Sequence, residues 1–391
     1  MIIIVDRSPN PSSFFLHLLR QHIPLSFSFY QHHILIQMNV TLRNNDLSPI
    51  LPWELMEEIL DFLGGMLLPL GFTLSTHVSV RRALISCCLV CRDLLPRSRA
   101  HLYKGFYDRS TKIIRSFLNS LQRWPHLPGY TEKFYMDLDP SVENAGIYTQ
   151  LFIRPFHSVR KLTVVGTHFY SLVDFRKLVE SFFPNIRTLL WRKNIFLSSH
   201  ILLGSSKRAP SIQCLLLEGT AYNRTLMKWL VSINTSLSTV SADSDCLSSI
   251  ISVQWMSLQN LHMSNGFAYY HRLGISLDSK ILPNLRHLEV KLYEWEDGPA
   301  FHESMENHHP SSTLGHIFFN LNLHEVARYF EMIDKLLTEP SFSHLQYLVV
   351  HPNVFGDFPL LKKKGMLRSA PTLLCCRRPT VQYHGWLKKY S

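Results

Sequence analysis

Apolar residues recur along this chain in a short figure: an apolar position, two others, an apolar position, one other, then a third apolar position. The figure occurs at Val159/Leu162/Val164, Ile186/Leu189/Trp191, Ile212/Leu215/Leu217, Leu237/Val240/Ala242, Leu258/Leu261/Met263, Leu285/Leu288/Val290 and Leu345/Leu348/Val350. A weaker copy stands at Thr131/Phe134/Met136. Counted from Thr131, successive starts lie 28, 27, 26, 25, 21, 27 and then 60 residues apart. The last two apolar positions are two residues apart, so in a strand they point to one side and the residue between them to the other. Thr163, Leu190, Leu216, His262, Glu289 and Val349 occupy that outward position. They share no charge or chemistry, which suits a surface fitted to one partner. The 60-residue gap has room for one more unit, with His316, Phe318 and Asn320 alternating with Ile317, Phe319 and Leu321. Turn signals open several units, as at Pro184-Asn185, Pro210-Ser211 and Pro283-Asn284. Helical spacing fills the intervals at 172–183, 225–233 and 326–337. One strand and one helix cannot bury such a face alone, so neighbouring units must stack.

Ahead of these units the period changes. Leu51, Leu55, Ile59 and Leu63 repeat every fourth residue, Met56, Leu60 and Phe62 widen the stripe, and Glu54, Glu57, Glu58 and Asp61 take the other face. Pro52 sits in the first turn, where its missing N–H has no intrahelical partner. Gly64-Gly65 is the expected stop. A second helix is expected over 81–98, carried by Ala83, Leu84, Cys87, Cys88, Val90, Cys91, Leu94 and Leu95, with Pro96 bending or ending it.

Two ordered segments here, Leu-Pro-x-Glu-Leu-x-x-x-Ile-Leu-x-x-Leu at 51–63 and Ala-Leu-x-x-Cys-x-Leu-Val-Cys-Arg at 83–92, resemble an F-box of the type common in mushroom-forming fungi. The resemblance implies docking to the Skp-type adaptor of a cullin–RING ubiquitin ligase. On it, Leu51, Pro52, Leu55, Ile59 and Leu60 are the first contact element. Leu84, Val90, Cys91 and Leu94 are the second, some facing the adaptor and some the internal core. The chain departs from the family pattern in its longer apolar link over 64–80 and in Asp93-Leu94, which stand where the family has an aromatic. Most of the repeat spacings fall in the range of roughly 20 to 29 residues typical of leucine-rich repeats. The asparagine that usually follows the strand is irregular, with Asn194, Asn223 and Asn265 as scattered candidates. The expected fold is α/β: an N-terminal helical F-box followed by an irregular leucine-rich-repeat-like solenoid of short parallel strands and helices. The expected domains are a poorly defined extension over 1–47, the helical module over 48–107, the repeat domain over 108–355 and a basic tail over 356–391.

Composition trims the functional classes. Apolar residues at 46% and charged residues at 18% argue against long disorder. The net charge of +11 is concentrated in the tail, where five lysines and three arginines meet one acid, Asp357, giving 8 − 1 = +7. A solvated basic end keeps a protein soluble, so no specific nucleic acid is expected as a partner. Seven cysteines, clustered as Cys87, Cys88 and Cys91 or Cys375 and Cys376 with Cys214 and Cys246 apart, form no disulfide framework. A reduced cytoplasmic or nuclear compartment fits. Cys88 and Cys91 have zinc-ligand spacing but no second pair, so neither a metal nor a cofactor is expected. No run of 18 apolar residues predicts a membrane span.

Gly-x-Gly-x-x-Gly, phosphate-loop and Gly-x-Ser-x-Gly motifs are all missing from the sequence. His302-Glu303 and His324-Glu325 are not followed by the second histidine a metalloprotease helix requires. His302, His308 and His309 with Glu303 and Glu306 read as a polar surface loop. The expected function is therefore non-enzymatic: a substrate-recognition adaptor of a Skp–cullin–F-box ubiquitin ligase. It would bind the adaptor through the F-box and a protein substrate through the repeats. The alternative is an interaction scaffold of the same architecture without a ligase role.

Overall fold

The computed structural model describes residues 53–66, 74–90, 93–108, 116–137, 155–196, 210–218, 237–242, 256–272, 279–307, 313–321, 329–350 and 357–369, a few single positions within these excepted, together with Leu226, Trp229, Leu247 and Leu277. The chain divides into two compact units, residues 1–106 with 125–132, and residues 107–124 with 133–391.

Three helices build the first unit: α1 (Trp53–Met66), α2 (Leu74–Val90) and α3 (Leu95–Lys104). Met56, Ile59, Leu60 and Leu63 of α1 are buried, as are Val80, Ala83, Leu84 and Cys87 of α2. The three- and four-residue spacing places each set on one face, and each helix packs on the other two. Gly64-Gly65 does not end α1. Instead the His101 ring of α3 lies where a side chain on Gly64 would have to go, so the glycine permits close helix approach. The single helix expected over 81–98 is two. Helix α2 starts at Leu74 and ends at Val90, and Pro96 lies in the first turn of α3, where proline starts a helix without losing a hydrogen bond.

Charged groups fix the register of α1 against α3. Arg97 donates from Nε and Nη2 to the two Asp61 carboxylate oxygens, at 2.9 and 2.7 Å. It also reaches Glu57 at 2.7 Å, and His101 Nε2 stands 2.8 Å from Asp61. The Arg97 hydrogen bonds hold the Asp61 carboxyl down at about 2. Asp61 is half exposed, so the cluster contributes on the order of 1 kcal/mol and serves orientation more than cohesion.

The second unit is built on a parallel sheet. Its strands are β1 (Lys133–Asp137), β2 (Lys161–Val165), β3 (Thr188–Arg192), β4 (Cys214–Glu218), β5 (Thr239–Ala242), β6 (Asn260–Gly266), β7 (His287–Leu292), β8 (His316–Leu321), β9 (Tyr347–Val350) and β10 (Leu367–Ser369). They lie in chain order, each paired in parallel with the next. Phe134, Leu162, Leu189, Leu215, Val240, Leu261, Leu288, Ile317, Leu348 and Leu367 form one unbroken row of register partners. Every member of the apolar figure is at most 4% exposed. A one-residue slip would turn the row outward, so burial itself enforces the register. The 60-residue gap holds β8, with Leu314, Ile317 and Phe319 buried as a further copy of the figure. The chain is therefore α/β.

Helices cross between strands: α4 (Leu172–Phe182), α5 (Phe267–Arg272), α6 (Asp297–Asn307), α7 (Phe330–Leu337) and α8 (Pro359–Lys363). Ser171 and Asp174 close a capping box at the start of α4. The helix expected over 225–233 lies largely outside the described residues, with Leu226 and Trp229 buried. Two expectations are corrected. His302, Glu303 and Glu306 lie on α6 and not in a loop, because Ala300, Phe301, Ser304 and Met305 form a buried stripe beneath them; His308 and His309 lie outside the described residues. Helix α8 and strand β10 fall within the stretch set aside as a tail, and Leu367 extends the buried row.

Side chains tie each unit to its neighbour. Asn185 and Asn284, the asparagines of the two Pro-Asn turn signals, donate to the carbonyls of His157 and Met256, each 28 residues back. Asn194 is buried, donates to Val164 O and accepts from the Thr167 N–H, both at 2.7 Å. At a later turn Tyr270 takes that part, donating to Ala242 O and accepting from the Asn265 N–H. Asn223 lies outside the described residues. Asp334 accepts from the N–H groups of Leu360 and Leu361, and so caps α8. Replacing Asn194 with alanine removes both hydrogen bonds and takes the Asn194 acceptor from the Thr167 N–H, an expected loss of about 1–3 kcal/mol. The same change at exposed Asn185 costs less than about 1 kcal/mol, and urea unfolding of the two variants measures the contrast.

Candidate functional site

The contact residues implied by the F-box resemblance fall into three groups. Leu51, Pro52 and Cys91 lie outside the described residues. Leu55 is on α1 and Val90 is the last residue of α2. Ile59, Leu60, Leu84 and Leu94 are buried inside the first unit, where they hold its helices together. Among the described side chains of α2, Ile85 is the large apolar one presented outward, at 46% exposure. Sequence reasoning passed over it because it lies beside the apolar stripe. Burial pushes the Cys87 thiol up to about 12 and raises Cys88 as well, which keeps both thiols protonated and unreactive at neutral pH. Among the described residues no group of three His, Cys, Asp or Glu is placed to hold a metal. No helix there is long and apolar enough to cross a membrane.

On the sheet, the six residues expected to face outward fall on one line. Thr163, Leu190, Leu216, Ser241, His262, Glu289, Phe318, Val349 and Arg368 are successive register partners from β2 to β10. The line changes character along the sheet. On β3 and β4 it is closed and apolar, with Leu190, Cys214 and Leu216 buried against one another. From β6 onward it is mixed: His262 and Phe318 are half-buried, Glu289 and Val349 are buried, and Arg368 is exposed. Glu289, only 6% exposed, takes a hydrogen bond from His262, Nδ1 to Oε2, at 2.5 Å. A carboxylate buried to that degree requires such a partner.

A second outward row lies one pleat away. His287 and His316 are register partners, their rings stacked at 4.4 Å with Nδ1 facing Nδ1 at 2.8 Å. His316 Nε2 meets Gln346 Oε1 at 3.2 Å. That carbonyl can only accept, so in the neutral pair His316 Nε2 carries its proton and His287 Nδ1–H donates to His316. The Tyr347 ring covers the other side of His316 at 4.0 Å, and the Arg368 guanidinium lies 5.9 Å over Tyr347. Burial, then the neighbouring His316, pushes His287 down to about 4. Burial also lowers His316. At the other end of this row burial lowers the Lys161 amine, with Lys133 beside it adding to the effect.

These arrangements supply hydrogen-bonding edges and cations along a rigid sheet. Single-sequence reasoning named His262 and Glu289 as outward residues but missed their pairing and the ladder of His287, His316, Tyr347 and Arg368. Those four residues come together only through strand register. No protein-family model matches this sequence, and no curated protein matches it either.

The low His287 value sets a direction for pH dependence. Its folded-state value of about 4 lies below the ordinary histidine value of about 6.5, so between these limits the unfolded chain binds more protons. The contribution is therefore complete above about pH 6.5 and is lost as the pH falls toward 4. His287→Gln is expected to flatten the fall in urea midpoint over that window.

Proposed function

We propose that this chain is the substrate receptor of a Skp–cullin–F-box ubiquitin ligase. The observation that carries the reading is the residue pattern at 51–63 and 83–92. Helices α1 and α2 accommodate it, ahead of a sheet whose outward line varies in chemistry from strand to strand. The adaptor docks on the helical unit and a protein substrate docks on the sheet. The chain does no chemistry itself and acts by raising the local concentration of substrate near activated ubiquitin. In this reading the second unit is a degenerate leucine-rich-repeat-like solenoid, supported by strands in chain order, a shared buried row and the buried Asn194 after β3. A second reading, a scaffold of the same architecture with no ligase role, draws support from the burial of Ile59, Leu60, Leu84 and Leu94 within the chain itself.

Co-expression of the full chain with a Skp-type adaptor, followed by size-exclusion chromatography, separates the two. The receptor reading expects a stable 1:1 complex. Ile85→Asp should weaken capture by about tenfold or more without changing the thermal melt, because Ile85 is exposed. Ile59→Asp should unfold the helical unit, since it buries a charge. If the unaltered chain fails to co-elute with the adaptor, the ligase role is wrong and the scaffold stands.

A further inference from the structure

We infer that the rim formed by α5 and the turn from β7 into α6 docks an arginine-bearing segment of a partner protein. The inference goes beyond the proposed function. It stands on the second unit alone and needs no adaptor.

Geometry is the first argument. Strand β6 runs directly into α5, and residues 293–296 join β7 to α6. Asp297, only 1% exposed, ties the two places together. Its Oδ1 accepts from the Ala268 N–H at 2.6 Å, and its Oδ2 accepts from the N–H groups of Tyr293 and Glu294 at 2.6 and 2.8 Å. Gly266, at the end of β6, leaves the room that this carboxylate occupies. An ion pair between Arg272 and Glu296 joins the same elements. The backbone is fixed on both sides, and it presents Tyr269, Tyr293 and Trp295 at 47%, 36% and 53% exposure. Large rings on a rigid support are the residues that anchor protein interfaces, because they cover much area at a small cost in conformational entropy.

Charge is the second argument, and it selects the occupant. Residues 267–272 and 291–307 carry Glu294, Glu296, Asp297, Glu303 and Glu306 against Lys291 and Arg272, a formal 2 − 5 = −3 in a chain of +11. Asp297 is engaged by backbone and Glu296 by Arg272. Glu303 stands 3.8 Å from His271, and Glu306 stands 3.5 Å from His302. Glu294 is exposed, lies between Tyr293 and Trp295 in the chain, and has no ion-pair partner among the described residues. The Tyr293 ring already takes one cation, the Lys291 ammonium 5.7 Å from its centroid. A guanidinium pairs with a carboxylate through two N–H groups and stacks flat on an aromatic face, so one arginine meets both features of this turn. An uncharged segment would cover Glu294 without pairing it, which costs free energy. A nucleic acid would set its phosphates against the same acids, whereas backbone binding draws on clustered cations.

The test is fluorescence anisotropy on the full chain with short labelled peptides: one with arginines spaced by serine and glycine, one with glutamines at the same positions, and one with glutamates. A labelled oligothymidine is the fourth probe. The arginine peptide should bind about tenfold or more tightly than the glutamine peptide, and added salt should weaken it. Glu294→Lys, which keeps the backbone N–H on Asp297, should cut that affinity about tenfold or more with an unchanged melt. Trp295→Ala should cut it about threefold or more. Glu339→Lys, the same charge change at an exposed acid beyond α7, should leave it intact. Equal binding of the arginine and glutamine peptides, or no effect of Glu294→Lys, overturns the inference. An equal loss in Glu339→Lys overturns it in favour of a general charge effect. Oligothymidine binding at least as tight as the arginine peptide overturns it in favour of a nucleic acid. Adaptor capture is read in a separate experiment, so failure of one leaves the other standing.

Discussion

The second unit depends on one row of side chains. Each strand contributes about two inward apolar groups, worth roughly 1.5–3 kcal/mol apiece when fully buried. Ordering the backbone of a five-residue strand costs roughly 5–10 kcal/mol. A single strand with its crossover therefore has no net reason to form. The balance changes only when Phe134, Leu162, Leu189 and their successors to Leu367 are stacked in register, because each then covers both neighbours. The parallel arrangement follows from the same demand. Strands joined by crossovers of 16 to 25 residues can return in one direction and keep the same residue inward at each step.

That shared demand leaves the turns with an unsolved problem, since backbone groups buried in a crossover need partners. The chain answers it with different side chains at different places. Asn194 bridges two backbone groups at one turn, and Tyr270 does so at another. Asp297 accepts from Ala268, Tyr293 and Glu294, and Asp334 caps α8. The hydrogen bonds are equivalent while the residue types are not. A repeat held by such unlike solutions keeps its geometry but loses its consensus, which is why the figure of three apolar positions stands out in this sequence and little else recurs.

The same division explains what could be read from residues alone. Burial leaves a periodic trace, so the inward positions, the strand registers and the outward set were legible from Val159 to Val350. Polar contacts made across register leave none. His287, His316, Tyr347 and Arg368 are 29, 31 and 21 residues apart, and nothing in their local context signals that they form one ladder. Helix α6 escaped because His302, Glu303 and Glu306 dominate its composition while Phe301 and Met305 carry its packing. The continuation through α8 and β10 escaped because Lys362, Lys363 and Lys364 read as a solvated run, yet they end a helix whose Leu361 is buried. In the first unit the glycines at 64 and 65 read as a stop. The use of Gly64 in packing depends on His101, far off in sequence.

An outward residue in this sheet contributes little to the buried row, so its identity is constrained by what it must meet outside and by its immediate neighbours. Where those neighbours are apolar, as at Leu190, Cys214 and Leu216, the face closes on itself and presents little to a partner. Where a carboxylate is placed among them, its burial demands a donor, and His262 supplies it. Where rings line up across the register instead, as at His287, His316 and Tyr347, each is held by the next.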